Sequence, residues 1–245
     1  MTISARLLAL SGLALAAAGL TQSPVTNIDP ANTGTITGRA VFDGVPLPRA
    51  VLNMSRNRVC VQRAGPAVES DAVLVDAGGG VQNAFVYIKF GLDPAYTFAV
   101  PAEPVVLDQR ECRYSPRILG VRAGQPLEIL NSDPTLHNTH ARPVANPEFN
   151  IGQPIMGMRA TRTFTAPEVM VPLSSDIHPW MVAFVGVMSH PFFAITSSDG
   201  SFTIRGVPPG EYTVEAWHER FGSSTRSATV EPGRSDATTF TFGNR

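Results

Sequence analysis

Lysine is almost absent from this chain. Among 245 residues Lys89 is the only one, charged residues amount to 16%, and the net charge is -1. A phosphate-binding surface needs a dense basic face, so neither nucleic acid nor an anionic membrane surface is expected as a partner. Long apolar runs are scarce as well. The one at the N-terminus, Leu7 to Leu20, follows Arg6 and carries small residues at Ala16, Ala17 and Ala18. It is short for a membrane span and has the layout of an export signal, a buried N-terminal helix being the alternative. Residues 1–22 are therefore read as a signal peptide. The mature chain is expected to be periplasmic or secreted, with no membrane span after signal removal. Cysteine is limited to Cys60 and Cys112. An even count in an oxidising compartment predicts one disulfide, two separate buried thiols being the alternative. Enzyme signatures are also missing. There is no nucleophile elbow, zinc-protease helix motif or phosphate loop, and the acidic residues form no evident acid/base pair. A non-enzymatic protein is expected.

What the sequence has in quantity is turn residues, with 21 glycines and 21 prolines, and a hydrophobic content of 43%. Helical periodicity is nearly absent. Short alternating runs separated by Gly, Pro, Asn and Asp predict an all-β sandwich or barrel. Expected strands cover Thr35–Phe42, Ala84–Phe90, Pro126–Leu130, Arg159–Phe164, Val169–Ser175, Ala183–Met188, Ser201–Ile204, Glu211–His218 and Thr238–Phe242. Residues 23–33 read as a polar linker.

The stretch from Ser198 to Trp217 runs strand, Pro208-Pro209-Gly210 turn, strand, with Pro fixing φ and Gly taking positive φ. It resembles the carboxypeptidase regulatory-like domain, a small starch-binding-like sandwich with a structural or adhesive role. The middle of the chain carries two further motifs. One runs from Tyr114-Ser-Pro through Gly124, Asn131 and Asp133 to His137. The other is Ser175-Asp-Ile-His178-Pro-Trp-Met181, followed by a strand. Together they resemble a cupredoxin of the amicyanin or plastocyanin type. These resemblances imply a cupredoxin-like Greek-key sandwich over 72–190. It would be flanked by, or inserted between, the pieces of a regulatory-like sandwich over 34–71 and 191–245.

A blue-copper site uses two imidazoles, one thiolate and a weak axial thioether. The resemblance puts His137, His178 and Met181 at ligand positions, and Ser175 where the thiolate would stand. Ser175 shares the parity of Val169, Val171 and Leu173, so it is expected to face inward. Copper held this way would not form a type 1 blue site. His140 and His190 lie beside the two motifs and are carried as further candidate ligands. Each of these histidines has a packing role as its alternative. His218 shares the parity of Tyr212, Val214 and Ala216 and is expected at the edge of the other core. Trp180 is expected to cover the site, and Trp217 to be exposed or half-exposed.

The expected function is therefore an exported binding protein with a thiolate-free, cupredoxin-like copper site and a redox or surface partner protein. The alternative is a polysaccharide-binding or cell-surface adhesion module in which the histidines are remnants.

Overall fold

The computed structural model describes residues 28–46 and 48–243. The expected signal peptide and the first part of the linker lie outside the described residues. The regular structure of the described chain is dominated by strands: β1 (Gly34–Asp43), β2 (Phe85–Phe90), β3 (Val105–Arg110), β4 (Arg113–Ser115), β5 (Ile118–Arg122), β6 (Pro126–Asn131), β7 (His137–Ala141), β8 (Phe149–Gln153), β9 (Arg159–Thr163), β10 (Glu168–Ser174), β11 (Val182–Met188), β12 (Phe193–Ile195), β13 (Ser201–Val207), β14 (Gly210–His218), β15 (Gly222–Val230) and β16 (Ser235–Gly243). Among the described residues the α-helix is α1 (Arg58–Ala64), capped at its N-terminus by the Asn57 side chain.

Four sheets form two sandwiches. The outer sandwich pairs a sheet of order β13-β1-β16 with one of order β12-β2-β14-β15. The middle sandwich pairs β4-β3-β6-β9 with β5-β11-β10-β7-β8. The middle sandwich is thus inserted between β2 and β12 of the outer one. The strand Phe85–Phe90, expected in the middle unit, hydrogen-bonds instead to β12 and β14. Its burial shows why. Phe85 to Ile88 are all buried, as in a central strand covered on both faces.

Each sandwich has its own core. Ile36, Val86, Ile88, Val214 and Phe240 anchor the outer one. Leu107, Leu127, Ile129, Leu173 and Val185 anchor the middle one. A third cluster, Phe85, Tyr87, Ile118, Met170 and Met188 with Phe184, Phe193 and Trp217 against it, joins the two. Two paired glycines make that joint. Gly186 on β11 lies opposite Gly120 on β5. A Cβ on Gly120 would lie 2.2 Å from the Phe193 ring, and one on Gly186 would lie 2.5 Å from the Phe85 ring. The bare backbone lets these two stacked rings, 5.5 Å apart, rest on the sheet. At the rim, Arg117 forks onto Glu219 of the outer sandwich and donates to Asp71 at 2.7 Å.

On β10 the expected inward parity fails at one point. Met170 has φ 63°, and the register with β11 shifts between Glu168 and Val171. This bulge leaves Val169 40% exposed, whereas Val171, Leu173 and Ser175 remain buried. On β7, His140 faces away from His137. Its Nε2 lies 2.5 Å from Glu148, and its Nδ1 lies 3.1 Å from Asp176 and 2.8 Å from Arg142. Glu148 and Asp176 hold the imidazole pKa above its ordinary value, against a smaller opposing effect of burial and of Arg142.

Filling the glycine joint should separate the sandwiches. Gly186→Val is expected to cost about 1–3 kcal/mol by overpacking. For a chain of this size that is a fall in melting temperature of about 2–4 °C per kcal/mol, read by calorimetry. An unchanged melting temperature would show that Phe85 and Phe193 do not rest on this backbone.

His140 should contribute stability mainly at low pH. Its folded pKa is raised above the unfolded value of about 6.5. The contribution is therefore complete below that value and is lost as pH rises through the raised folded pKa. Thermal melts of wild type and His140→Gln should differ most near pH 6 and converge as the pH is raised into the alkaline range. A difference that grows with pH would contradict the charged network.

Candidate metal centre

The centre begins at a corner. Asn131, the last residue of β6, donates from its side chain to the carbonyls of Thr135 and Gln153 and accepts the Asp133 amide. This folds the chain tightly enough to bury Asp133 completely. The buried carboxylate accepts the amides of Cys112 at 2.7 Å and Glu111 at 3.0 Å. Both of those residues sit at φ 52°, a conformation that non-glycine residues seldom adopt. The carboxylate also receives Arg63 of α1 at 3.4 Å and His137 Nε2 at 3.0 Å. Burial alone would raise its pKa. The His137 contact and the two amides outweigh burial and hold it below the ordinary carboxylate value.

His137 opens β7 and is fully buried. His178 lies in the turn between β10 and β11, 1% exposed. The two Nδ1 atoms are 3.0 Å apart and the ring centroids 4.9 Å apart. On the far side, the Asn57 side-chain amide lies 2.7 Å from His178 Nε2, and its Oδ1 accepts the Cys60 amide of α1. That cap fixes the orientation of the Asn57 amide, and the proton positions follow. Asn57 donates to His178 Nε2, His178 Nδ1–H donates to His137 Nδ1, and His137 Nε2–H donates to Asp133. Burial, then the neighbouring His137, lowers the His178 pKa to about 4, in keeping with a neutral ring.

Ser175 is buried where inward parity puts it, but its hydroxyl is committed elsewhere. Oγ donates to Asn138 Oδ1 at 2.7 Å and accepts the amides of His178 at 3.0 Å and Ile177 at 3.3 Å. It shapes the turn that carries His178, and this bonding does not suit a metal ligand. Met181 is 1% exposed and closes the same turn, its amide donating to the His178 carbonyl and its carbonyl accepting from the Ser175 amide. His137, His178, Ser175 and Met181 are therefore gathered on one loop and the adjoining strand. The other two candidates are not. His140 belongs to the carboxylate network on the opposite face of β7. His190 is spent on packing: Nε2 donates to the Ile88 carbonyl at 3.0 Å, and Nδ1 accepts the Phe192 amide. His218 is buried and stacks on Phe221 in the outer core. Trp180 lies against His178, with centroids 5.0 Å apart, and donates to the Cys112 carbonyl. Trp217 is half-buried against Phe184 in the joint.

The approach of α1 to the centre has little sequence signal, whereas the disulfide was expected from the two cysteines. Asn57 and α1 reach it from a segment more than a hundred residues away from His178. The disulfide between Cys60 and Cys112, with Cα atoms 5.4 Å apart, pins α1 there. Cys60 Sγ lies 3.7 Å from His178 Nε2. A ligand atom each from Cys112, Asp133 and His137 lies within 4.8 Å of the others, although the Cys112 sulfur is bonded to Cys60 and offers no thiolate. Beside this packing, Asn53, Arg56, Asn57, His178, Pro179 and Trp180 line a surface cleft of about 740 Å³.

Comparisons with known proteins give one family match and several similar solved structures. The carboxypeptidase regulatory-like domain family matches residues 185–243, which span the end of β11 and all of β12–β16. No curated protein matches the chain. Among solved structures, the chain is similar to the copper-containing nitrite reductase from Thermus scotoductus SA-01. The identity is 26%, covering 40% of this chain and 27% of that one, with a TM-score of 0.33. It is also similar to a methionine-to-alanine mutant of amicyanin in its Cu(I) form, at 23% identity over 40% of this chain and 98% of that one, TM-score 0.31. The purple cupredoxin from Nitrosopumilus maritimus is matched at 26% identity over 31% of this chain and 82% of that one, TM-score 0.28. The chain thus spans about a quarter of the nitrite reductase and nearly all of amicyanin. The chain is thus all-β, with one sandwich inserted into another whose C-terminal strands match the carboxypeptidase regulatory-like domain family.

Proposed function

We propose that this chain is an exported, non-enzymatic protein that binds copper through His137 and His178, with Met181 as a soft third donor and no thiolate. One observation carries the reading: two buried imidazoles present the same ring nitrogen to each other at 3.0 Å. Two nitrogens about 2.0 Å from a shared metal, subtending about 100°, stand about that far apart. Imidazole with thioether is also a donor set that suits copper. When bound, copper would supply an ion that can be stored, transferred or reduced.

The surrounding residues would then orient and shield. Asp133 fixes His137 from behind, as carboxylates do for ligating histidines. Trp180, Asn57 and Cys60 cover His178 and keep its outer edge from solvent. A covered imidazole edge and a missing thiolate favour holding or handing over copper rather than rapid electron exchange.

Loading copper has a local cost. Both Nδ1 lone pairs must be free, so the His178 proton must move to Nε2, where it meets the Asn57 NH₂. Rotating that amide would give up the α1 cap, worth about 0.5–2 kcal/mol. Asn57→Asp removes the conflict, because a carboxylate accepts from His178 and still caps the helix. Calorimetric titration of wild type with Cu(II) is expected to show one equivalent bound, without an intense blue band. His137→Ala and His178→Ala should each weaken binding at least about tenfold, and Asn57→Asp should tighten it several-fold. Absence of binding by the wild type, or unchanged affinity in both histidine variants, would sink the proposal.

A further inference from the structure

The Cys60–Cys112 disulfide lies against the two buried histidines, in a protein whose other polar contacts at that point already serve the histidines. The geometry points to a second metal site, latent in the oxidised chain. On reduction, the thiolates of Cys60 and Cys112 together with His178 would form a Cu(I) site, and the disulfide masks it. This goes beyond the histidine–methionine reading above and does not depend on it, since its ligands are different atoms: two sulfurs and the outer nitrogen of His178.

Three observations support the assignment. First, Cys60 Sγ stands 3.7 Å from His178 Nε2. A thiolate at about 2.3 Å and an imidazole nitrogen at about 2.0 Å from one ion, at about 120°, are separated by about that distance. Second, Cys112 is the covalent partner of Cys60 and closes the same pocket, its sulfur grouped with Asp133 and His137 within 4.8 Å. Releasing the S–S bond frees a second thiolate beside the first. Third, the pocket is buried. Cys60, Cys112 and His137 are fully buried, His178 is 1% exposed, and Trp180 covers the Cys112 backbone. Two thiolates and an imidazole select a soft cation such as Cu(I). The route in is the cleft lined by Asn53, Arg56, Asn57 and Trp180, which meets His178 at its floor.

The chemistry balances with a dithiol as reductant. Its thiolate attacks one sulfur of the disulfide, the S–S bond breaks, and a mixed disulfide forms. The second thiol of the reductant resolves it, leaving two cysteine thiols and the oxidised reductant. Two electrons and two protons are transferred. Cu(I) then displaces the two thiol protons. Asn57 must leave His178 Nε2 for the ion to enter, so binding is coupled to a shift at the start of α1.

The test compares oxidised and reduced full-length protein. The chain is reduced with a phosphine under anaerobic conditions, freed of reductant, and titrated with Cu(I) against a bicinchoninate competitor. The reduced chain is expected to bind one Cu(I) at least a hundredfold more tightly than the oxidised chain. X-ray absorption at the copper edge should show sulfur scatterers together with an imidazole. Replacing both cysteines by serine should abolish the gain, and reduced His178→Asn should lose at least tenfold. Equal affinity of oxidised and reduced protein would overturn the proposal. So would a reduced His178→Asn variant that binds as tightly as the reduced wild type, because the thiols would then be acting without the histidine. A reduced chain that loses its β-sheet circular dichroism before copper is added would also count against it, since the site needs α1 and the Asp133 corner in place. If oxidised protein ignores Cu(II) while reduced protein binds Cu(I) as described, the histidine–methionine reading fails and this one stands.

Discussion

The Asp133 carboxylate is the contact on which the centre of this molecule depends. An ionised group without solvent is costly to bury, and this one is buried completely because every direction around it is answered. Two amides of an otherwise unfavourable turn, a guanidinium from α1 and an imidazole from β7 converge on it. Each of these partners is positioned by the others. The turn at Glu111 and Cys112 holds the disulfide, the disulfide holds α1, α1 brings Asn57 to His178, and His178 meets His137, which returns to Asp133. Removing the carboxylate would leave the two amides and the His137 Nε2–H without partners in a dry interior, where an unsatisfied group costs about 1–3 kcal/mol.

The same closure explains why a serine suffices at position 175. In the turn between β10 and β11 the need is for a short acceptor that organises amides. A hydroxyl does this with three hydrogen bonds, to Asn138, Ile177 and His178. The histidines are thereby held at ligand-like separation by hydrogen bonds alone. The centre is a preorganised pair of imidazoles whose proton arrangement is set from both ends, by a carboxylate on one side and a helix cap on the other.

The second architectural constraint is the joint between the sandwiches. Inserting one β-sandwich into another leaves two chain crossings, and a pair of crossings alone would act as a hinge. Here the paired Gly120 and Gly186 expose flat backbone to Phe85 and Phe193, and the half-buried Arg117–Glu219 contact closes the rim. The outer sandwich is thereby docked on the face of the β5-β11 pair, and the turn that carries His178 runs directly into β11.

Much of this was written locally. Alternation and turn residues sufficed for an all-β chain, and each expected strand is present, because a two-residue period and Gly/Pro turns are properties of neighbouring residues. The strands β3, β4, β5, β7, β8, β12 and β15 were not legible. Several are three to five residues long, and β7, with His137, Asn138, Thr139 and His140, is polar because it is paid for by side-chain hydrogen bonds rather than by apolar packing. Helix α1 is seven residues long, too short for a helical period to declare itself. The motifs brought His137 and His178 together as an expectation, since each sits at the end of a strand whose partners the pattern implied. What sequence could not decide was which groups would stand around them. Asp133 was visible only as part of a motif, Asn57 comes from a distant segment, and His190, similar to the others in sequence context, is consumed by the Ile88 carbonyl and the Phe192 amide. Sequence by itself determined the strand periodicity, the all-β class and the set of candidate donors. Tertiary structure alone decided which donors meet, which are already satisfied and where the protons lie, because hydrogen bonds between residues far apart in the chain exist only once the sheets have stacked.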